Sequence, residues 1–211
     1  MSKIQEMLDR IGETKVIAIV RGVAAEHALD MIKALRDGGI EAIEVTMNTP
    51  AALEIIEAAQ QIGGIIVGAG TVLDVANAQA VIEHGAQFVL APSLDVEVIS
   101  TCLQHDVLPV PGVFSPTELY QAHRSGAPLI KVFPASSVGP QYIKDLLGPF
   151  NGLKLLPVGG VSLENAADFI AHGAYAIGVG SYLANPTLAK EGAWSTLTER
   201  AQAFVSAANN N

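Results

Sequence analysis

A single (β/α)8 barrel is the fold this sequence predicts, and three observations carry the prediction. The chain has 211 residues, half of them hydrophobic, enough for one large core. A local pattern recurs: a polar residue, a glycine, then a short apolar run, as in Asp37-Gly38-Gly39, His84-Gly85, Ser125-Gly126 and His172-Gly173. Each glycine suits the position just past a helix, where left-handed backbone ends it, and each run suits a buried parallel strand. No linker, charge block or change of composition divides residues 1–211, so one domain is expected throughout.

Taken in order, the chain opens with a polar, amphipathic segment whose Ile4, Leu8 and Ile11 share one helical face. That segment lacks the apolar centre of a signal peptide. Eight apolar, β-rich runs follow as strands, at 16–20, 42–45, 65–67, 88–90, 107–110, 129–133, 155–158 and 176–179. Amphipathic helices are expected between them, near 25–37, 50–61, 74–84, 95–104, 116–124, 139–147 and 162–171. Thr49-Pro50, Asp74, Asp95, Ser115-Pro116 and Ser162 are the residues expected to cap or start these helices. A last helix spans about 193–207, and Asn209, Asn210 and Asn211 are expected to fray. Eight strand–helix units read as a closed barrel, with a doubly wound open sheet as the alternative. Gly68-Ala69-Gly70 lacks the third glycine and the acidic partner of a dinucleotide site, so it is discounted.

Composition narrows the partners. A net charge of −9 argues against nucleic acid and anionic membrane surfaces. One cysteine, Cys102, excludes an internal disulfide and suits a reducing cytoplasm. No apolar run approaches the roughly 18 residues of a membrane span.

The chemistry centres on Leu129-Ile130-Lys131-Val132-Phe133-Pro134. A lysine within a buried strand is costly, because burial disfavours the ammonium form. Either Lys131 snorkels from a strand end to water, or its pKa is lowered so that it attacks a carbonyl and forms a Schiff base. Barrels put chemistry at the C-terminal ends of their strands. Of twelve basic residues only Arg21 and Lys131 reach that end, whereas Lys15 and Lys154 fall at strand starts. Glu44 is the one acid within a strand. Helices cover the outer strand face, so Lys131 and Glu44 should both point inward. The three then suit a nucleophile, a general acid/base and a carboxylate clamp. A structural Lys131–Glu44 ion pair is the plainer alternative.

Gly159-Gly160 and Gly178-Val179-Gly180-Ser181 follow the last two strands, where barrels hold phosphate on backbone N–H groups; simple tight turns are the alternative. Such a site needs no basic side chain, which suits an acidic chain. Metal binding is not expected, since His27, His84, His105, His123 and His172 fall on helices or their ends and Cys102 has no partner.

In these stretches the chain resembles the bacterial 2-keto-3-deoxy-6-phosphogluconate/4-hydroxy-2-oxoglutarate aldolases, pyruvate-dependent class I enzymes. The matching runs are Val20-Arg21-Gly22, Ile43-Glu44-Val45-Thr46, Gly68-Ala69-Gly70-Thr71-Val72-Leu73 and Pro109-Val110-Pro111-Gly112. Lys131-Val132-Phe133-Pro134-Ala135, Gly148-Pro149-Phe150 and Gly159-Gly160-Val161-Ser162 complete them, in order, over about 15–183. The resemblance implies Lys131 as the Schiff-base lysine and Glu44 as the acid/base. It implies Arg21 and Thr71 around the pyruvate carboxylate, Pro92 and Phe133 shaping the pocket, and Gly159, Gly160, Gly180 and Ser181 around phosphate. It also implies cytoplasmic homotrimers needing neither metal nor cofactor, which act on a phosphorylated keto acid to give pyruvate and glyceraldehyde 3-phosphate. Asn48 and Val158 depart from the gluconate branch, which carries arginine and threonine there, and look more like the phosphogalactonate branch. A phosphosugar isomerase or epimerase on the same barrel would use two carboxylates, and a silent sugar-phosphate binder would need neither Lys131 nor Glu44.

Overall fold

The computed structural model describes residues 2–209. Helix α1 (Lys3–Thr14) is capped by the Ser2 hydroxyl, which accepts from Gln5 N. Strands β1 (Val16–Val20), β2 (Ala42–Thr46), β3 (Ile66–Gly70), β4 (Phe88–Leu90) and β5 (Leu108–Val110) follow, all parallel. Between them lie α2 (Ala25–Asp37), α3 (Ala52–Ala59), α4 (Val75–Glu83) and α5 (Val96–Gln104). Then come β6 (Gly112–Val113), α6 (Pro116–Arg124), β7 (Ile130–Val132), α7 (Gly139–Leu147), β8 (Leu155–Pro157), α8 (Leu163–Ala171) and β9 (Ile177–Val179). Helices α9 (Pro186–Lys190) and α10 (Trp194–Asn209) end the described chain.

Six strands pair in the order β5-β4-β3-β2-β1-β9, and three more in the order β6-β7-β8. The fifth expected strand is the joint between the two groups. Pro111 has no N–H and breaks the run; β5 then pairs with β4, and β6 pairs with β7. The Pro111 carbonyl accepts from Lys131 N at 2.9 Å. A parallel bridge, Val158 to Gly178, links the far ends. The result is an α/β fold with a curled, all-parallel sheet.

Strand parity sorts the core into two regions. Val16, Ala18 and Val20 face the helices, in a core shared with Met31, Leu35 and Phe204. Ile17, Ile19, Ile66, Phe88, Leu108, Leu129 and Leu156 fill the inside of the curl, and Met7, Leu8 and Ile11 of α1 close its N-terminal end. Tyr175 anchors that plug by donating from its hydroxyl to Leu8 O at 2.9 Å. Space inside is shared by alternating large and small residues. A Cβ on Gly68 would run into the Phe88 ring.

Most expected boundaries stand within a residue or two. The glycines after the helices adopt positive φ, as at Gly85 (90°) and Gly173 (96°). Asp74, Asp95, Ser115 and Ser162 occupy the N-cap positions, Ser115 within a full capping box with Glu118. Three expectations are corrected. Thr49-Pro50 does not start a helix: Ala51, at φ 56°, precedes α3, and the Thr49 hydroxyl accepts from Gly22 N instead. The third strand runs on through Gly68-Ala69-Gly70, because glycine gives room there for neighbouring side chains. Asn209 is helical, its amide donating to Thr14 O at 3.2 Å; Asn210 and Asn211 lie outside the described residues. The short α9 and a 3-10 turn at Ala135–Ser137 were not expected.

Ile11 is fully buried between α1 and the strands. Ile11→Ala should cost about 2–5 kcal/mol, seen as a lower urea midpoint at unchanged slope. A change below ~1 kcal/mol would mean that α1 is not part of the packed interior.

Candidate active site

Parity decides where the two buried charges point. Lys131 shares its strand face with Leu129, and Glu44 shares its face with Ala42, both members of the inner core. Lys131 is 3% exposed and Glu44 is 1% exposed. The register aligns Ile19 with Glu44 and Glu44 with Gly68, and aligns Lys131 with Gly112 and Leu156. The expected inward orientation is therefore what the packing produces.

The plain ion-pair alternative does not hold. Lys131 and Glu44 form no salt bridge, and both Glu44 carboxylate oxygens are buried without a hydrogen-bond partner. The two still feel each other. Burial pushes the Glu44 carboxyl up from its ordinary value, while the Lys131 and Arg21 charges pull it partly back. Burial pushes Lys131 below its ordinary value; Glu44 opposes that, and Arg21 adds to it. The Lys131 ammonium sits 4.8 Å from the centre of the Phe133 ring. A desolvated amine and a desolvated carboxyl near one cation are an acid–base pair poised to exchange protons with a third molecule.

Gly70 makes room for Glu44: a Cβ there would collide with the Glu44 carboxyl. Thr71, next in the chain, is half-buried and held at φ 59°, a conformation costly for a β-branched residue. Pro92 is half-buried beside Gly112, where a Cβ would meet the Pro92 carbonyl carbon at 2.5 Å.

A cavity of about 260 Å³ opens at the C-terminal ends of β1, β8 and β9. It brings together seven of the expected residues: Arg21, Phe133, Val158, Gly159, Gly160, Gly180 and Ser181. Lys131, Glu44, Thr71 and Pro92 all stand outside its lining, and Lys131 approaches it through the Phe133 ring, which lines it. Gly159 (φ 95°) and Gly160 (φ 72°) both need glycine, and a Cβ on Gly160 would lie 2.6 Å from Ser136 Cβ. Gly160 and Val161, just ahead of α8, donate to no loop or turn carbonyl among the described residues. N–H groups just ahead of a helix start suit an anion.

Other lining residues were missed from the sequence, among them Tyr182, 61% exposed at the rim, and Pro186 at the start of α9. The Asn185-Pro186 pair was the available signal for that turn.

Four further titratable groups have structural places. His84, His105 and His172 place Nδ1 at 2.8, 2.8 and 2.7 Å from carbonyls one turn back. Burial pushes the Cys102 thiol up to about 12, so it packs as an apolar residue. Among the described residues no group of three or more His, Cys, Asp or Glu side chains could hold a metal ion.

Comparison with known proteins follows the geometry. Residues 7–200 match the family model described as KDPG and KHG aldolase. The chain is 38% identical over 174 residues to the 2-dehydro-3-deoxy-phosphogluconate aldolase of Treponema pallidum (strain Nichols), covering 82% of this chain and 81% of that one. It is 36% identical over 171 residues to the 2-dehydro-3-deoxy-6-phosphogalactonate aldolase of Escherichia coli (strain K12), covering 80% and 83%. Among solved structures, a KDPG aldolase from Legionella pneumophila, with pyruvate captured as a covalent carbinolamine, superposes with a TM-score of 0.87. That pair is 28% identical and covers 93% of this chain and 97% of the other.

The coupling between the buried charges can be titrated. Lys131 lowers the Glu44 value, so Lys131→Met should raise it further; Arg21→Gln should raise it less. Carboxyl carbon NMR across a pH series reads both. A Glu44 value unchanged by Lys131→Met would mean that the two groups do not share a site.

Proposed function

The chain belongs to the family of KDPG and KHG aldolases, and on that premise we propose that Lys131 is its Schiff-base nucleophile and Glu44 its proton shuttle. The enzyme is a metal-independent lyase that cleaves keto-deoxy phosphosugar acids to pyruvate and glyceraldehyde 3-phosphate. The observation that carries the proposal is the pair of buried, unbridged charges: a lysine pushed toward its neutral form beside a carboxyl pushed toward its protonated form.

The neutral Lys131 amine attacks the C2 ketone, and a proton passes to the carbonyl oxygen to give a carbinolamine. Glu44 donates a proton to the departing hydroxyl, water leaves, and an iminium remains. Glu44 then takes the C4 hydroxyl proton, directly or through a water. The C3–C4 bond breaks, its electron pair moves into the iminium to give an enamine, and the aldehyde departs. Protonation at C3 and hydrolysis release pyruvate and restore the amine. Each proton transfer by a well-placed acid/base contributes about 10²–10⁴-fold.

Arg21 holds the substrate carboxylate in this reading, with Thr71 beside it and with Pro92 and Phe133 shaping the pocket. The charge coupling of Arg21 to both Lys131 and Glu44 supports its part. The phosphate lies on Gly159, Gly160, Gly180 and Ser181, which the N–H groups ahead of α8 support. Residues 1–211 form one domain whose sheet closes as an eight-stranded barrel, with β5 and β6 counted as one strand. The Val158–Gly178 bridge supports that closure. The exposed aromatics Phe114 and Tyr120 are part of the subunit contact of a homotrimer in this reading, and the single cysteine supports a cytoplasmic setting. No described helix is long and apolar enough to cross a membrane.

Val158 lines the cavity and carries a methyl where a hydroxyl would offer a hydrogen bond. The phosphogalactonate epimer is therefore proposed as a substrate cleaved at least as well as its gluconate counterpart.

With pyruvate and borohydride the protein should gain one reduced adduct per chain, mapped by peptide mass to Lys131. An adduct elsewhere, or none, removes Lys131 from the mechanism. Glu44→Gln should keep pyruvate binding but lose about 10²-fold or more in turnover.

Comparing kcat/KM for both epimers tests the branch. Val158→Thr should move the ratio toward the gluconate epimer by about 1 kcal/mol, the scale of one neutral hydrogen bond. A wild type that strongly prefers the gluconate epimer defeats the branch assignment alone.

A further inference from the structure

We infer that Thr46 and Thr49 are positioning residues that hold the backbone on both sides of Arg21 and so fix the carboxylate clamp relative to Glu44. The inference rests on the proposed role of Arg21 as that clamp.

Arg21 is exposed, and it sits in a loop directly after β1. A long side chain leaving a loose loop has no fixed origin. Here the loop is tied at two points. The Val20 carbonyl lies 3.4 Å from Thr46 Oγ1 and 3.4 Å from Thr49 Oγ1. Gly22 N donates to Thr49 Oγ1 at 3.1 Å, and the chain turns there at φ 66°. The two hydroxyls are 3.1 Å apart. Two hydroxyl protons thus serve one contact between the threonines and one to Val20, and Gly22 supplies the third donor.

Both threonines are buried, at 0% and 4% exposure, so these bonds are shielded from water. Thr46 lies two residues beyond Glu44 on β2 and shares its face of the sheet. Thr46 also stands opposite Gly70, the residue that leaves room for the Glu44 carboxyl. The strand carrying the acid/base therefore also carries the grip on the clamp loop, and the spacing between substrate carboxylate and reacting carbon is set by one element. A 1 Å error in that spacing is the kind that costs turnover without touching the chemistry.

The test reads the half-saturating concentration for borohydride trapping at Lys131 with two ligands: pyruvate, which has the carboxylate, and pyruvamide, which is neutral. Thr49→Val keeps the shape and removes the hydroxyl. It should raise the value for pyruvate about tenfold and leave pyruvamide within about twofold, the scale of one lost hydrogen bond. Thr49→Ser should restore the wild-type value for pyruvate. Arg21→Gln, run in parallel, should show the same pyruvate-selective loss. If Arg21→Gln is selective and Thr49→Val is not, the inference is wrong while the clamp stands. If Arg21→Gln is not selective, the clamp reading fails and the inference with it. An equal rise for both ligands in Thr49→Val would mean the hydroxyls only hold the fold. Should Thr49→Val not fold, Thr46→Val removes the other hydroxyl of the pair and is judged by the same comparison.

Discussion

Desolvation of two ionisable side chains, Lys131 and Glu44, is the constraint on which the rest of the structure depends. Each sits on an inner strand face within a predominantly apolar core. Burial there disfavours both charged forms, which is why the amine moves down and the carboxyl moves up. A close salt bridge would relieve much of that cost and would also hold the lysine as an ammonium. The fold avoids it by spacing the pair so that they interact electrostatically without a hydrogen bond between them. The cost is tolerable because the surrounding core is large. It has a pH signature. A folded-state value raised above the unfolded one favours the fold at acid pH, and Glu44's contribution is lost as pH rises through its raised value. Lys131, lowered, contributes above its unfolded value and loses that contribution as pH falls through its folded value.

The space for this pair comes from what is missing. Gly68 yields to the Phe88 ring, Gly70 yields to the Glu44 carboxyl, and Gly178 yields to Val158. The packing of the inner core and the geometry of the site are thus one problem solved by the same alternation of large and small residues. At the far end of the curl, α1 seals the interior with Met7, Leu8 and Ile11, leaving the C-terminal strand ends open to substrate. Helix starts do the rest. Gly160 and Val161 present backbone N–H groups ahead of α8, and Arg21 is the only basic side chain in the cavity lining, an arrangement that lets an acidic chain present a site suited to an anion.

Much of this was legible in the linear chain, for reasons that can be named. The helix-ending glycines announced the repeat, because few other residues accept positive φ cheaply. Lys131 stood out because a lysine in Leu129-Ile130-Lys131-Val132-Phe133 breaks an apolar run, and strand period two then fixed which way it points. Thr49 was misread as a helix cap because Thr-Pro is a local signal, while its hydroxyl is taken by Gly22, twenty-seven residues earlier. The strand break at Pro111 was hidden for a related reason: proline removes a donor, but which neighbour each half then joins depends on strands far away in the chain.

The sequence by itself determined the α/β repeat, the family, and the identities of the buried lysine and glutamate, because periodicity, capping and residue chemistry are local properties. Only the tertiary structure decided that Lys131 and Glu44 are left unbridged, that Gly70 makes room for the carboxyl, that Thr71 and Pro92 stand outside the cavity lining while Tyr182 joins it, and that Thr46 and Thr49 grip the Arg21 loop. Each of these depends on distances between strands brought together by parallel pairing, and no local pattern encodes a distance between residues that meet only after the sheet curls.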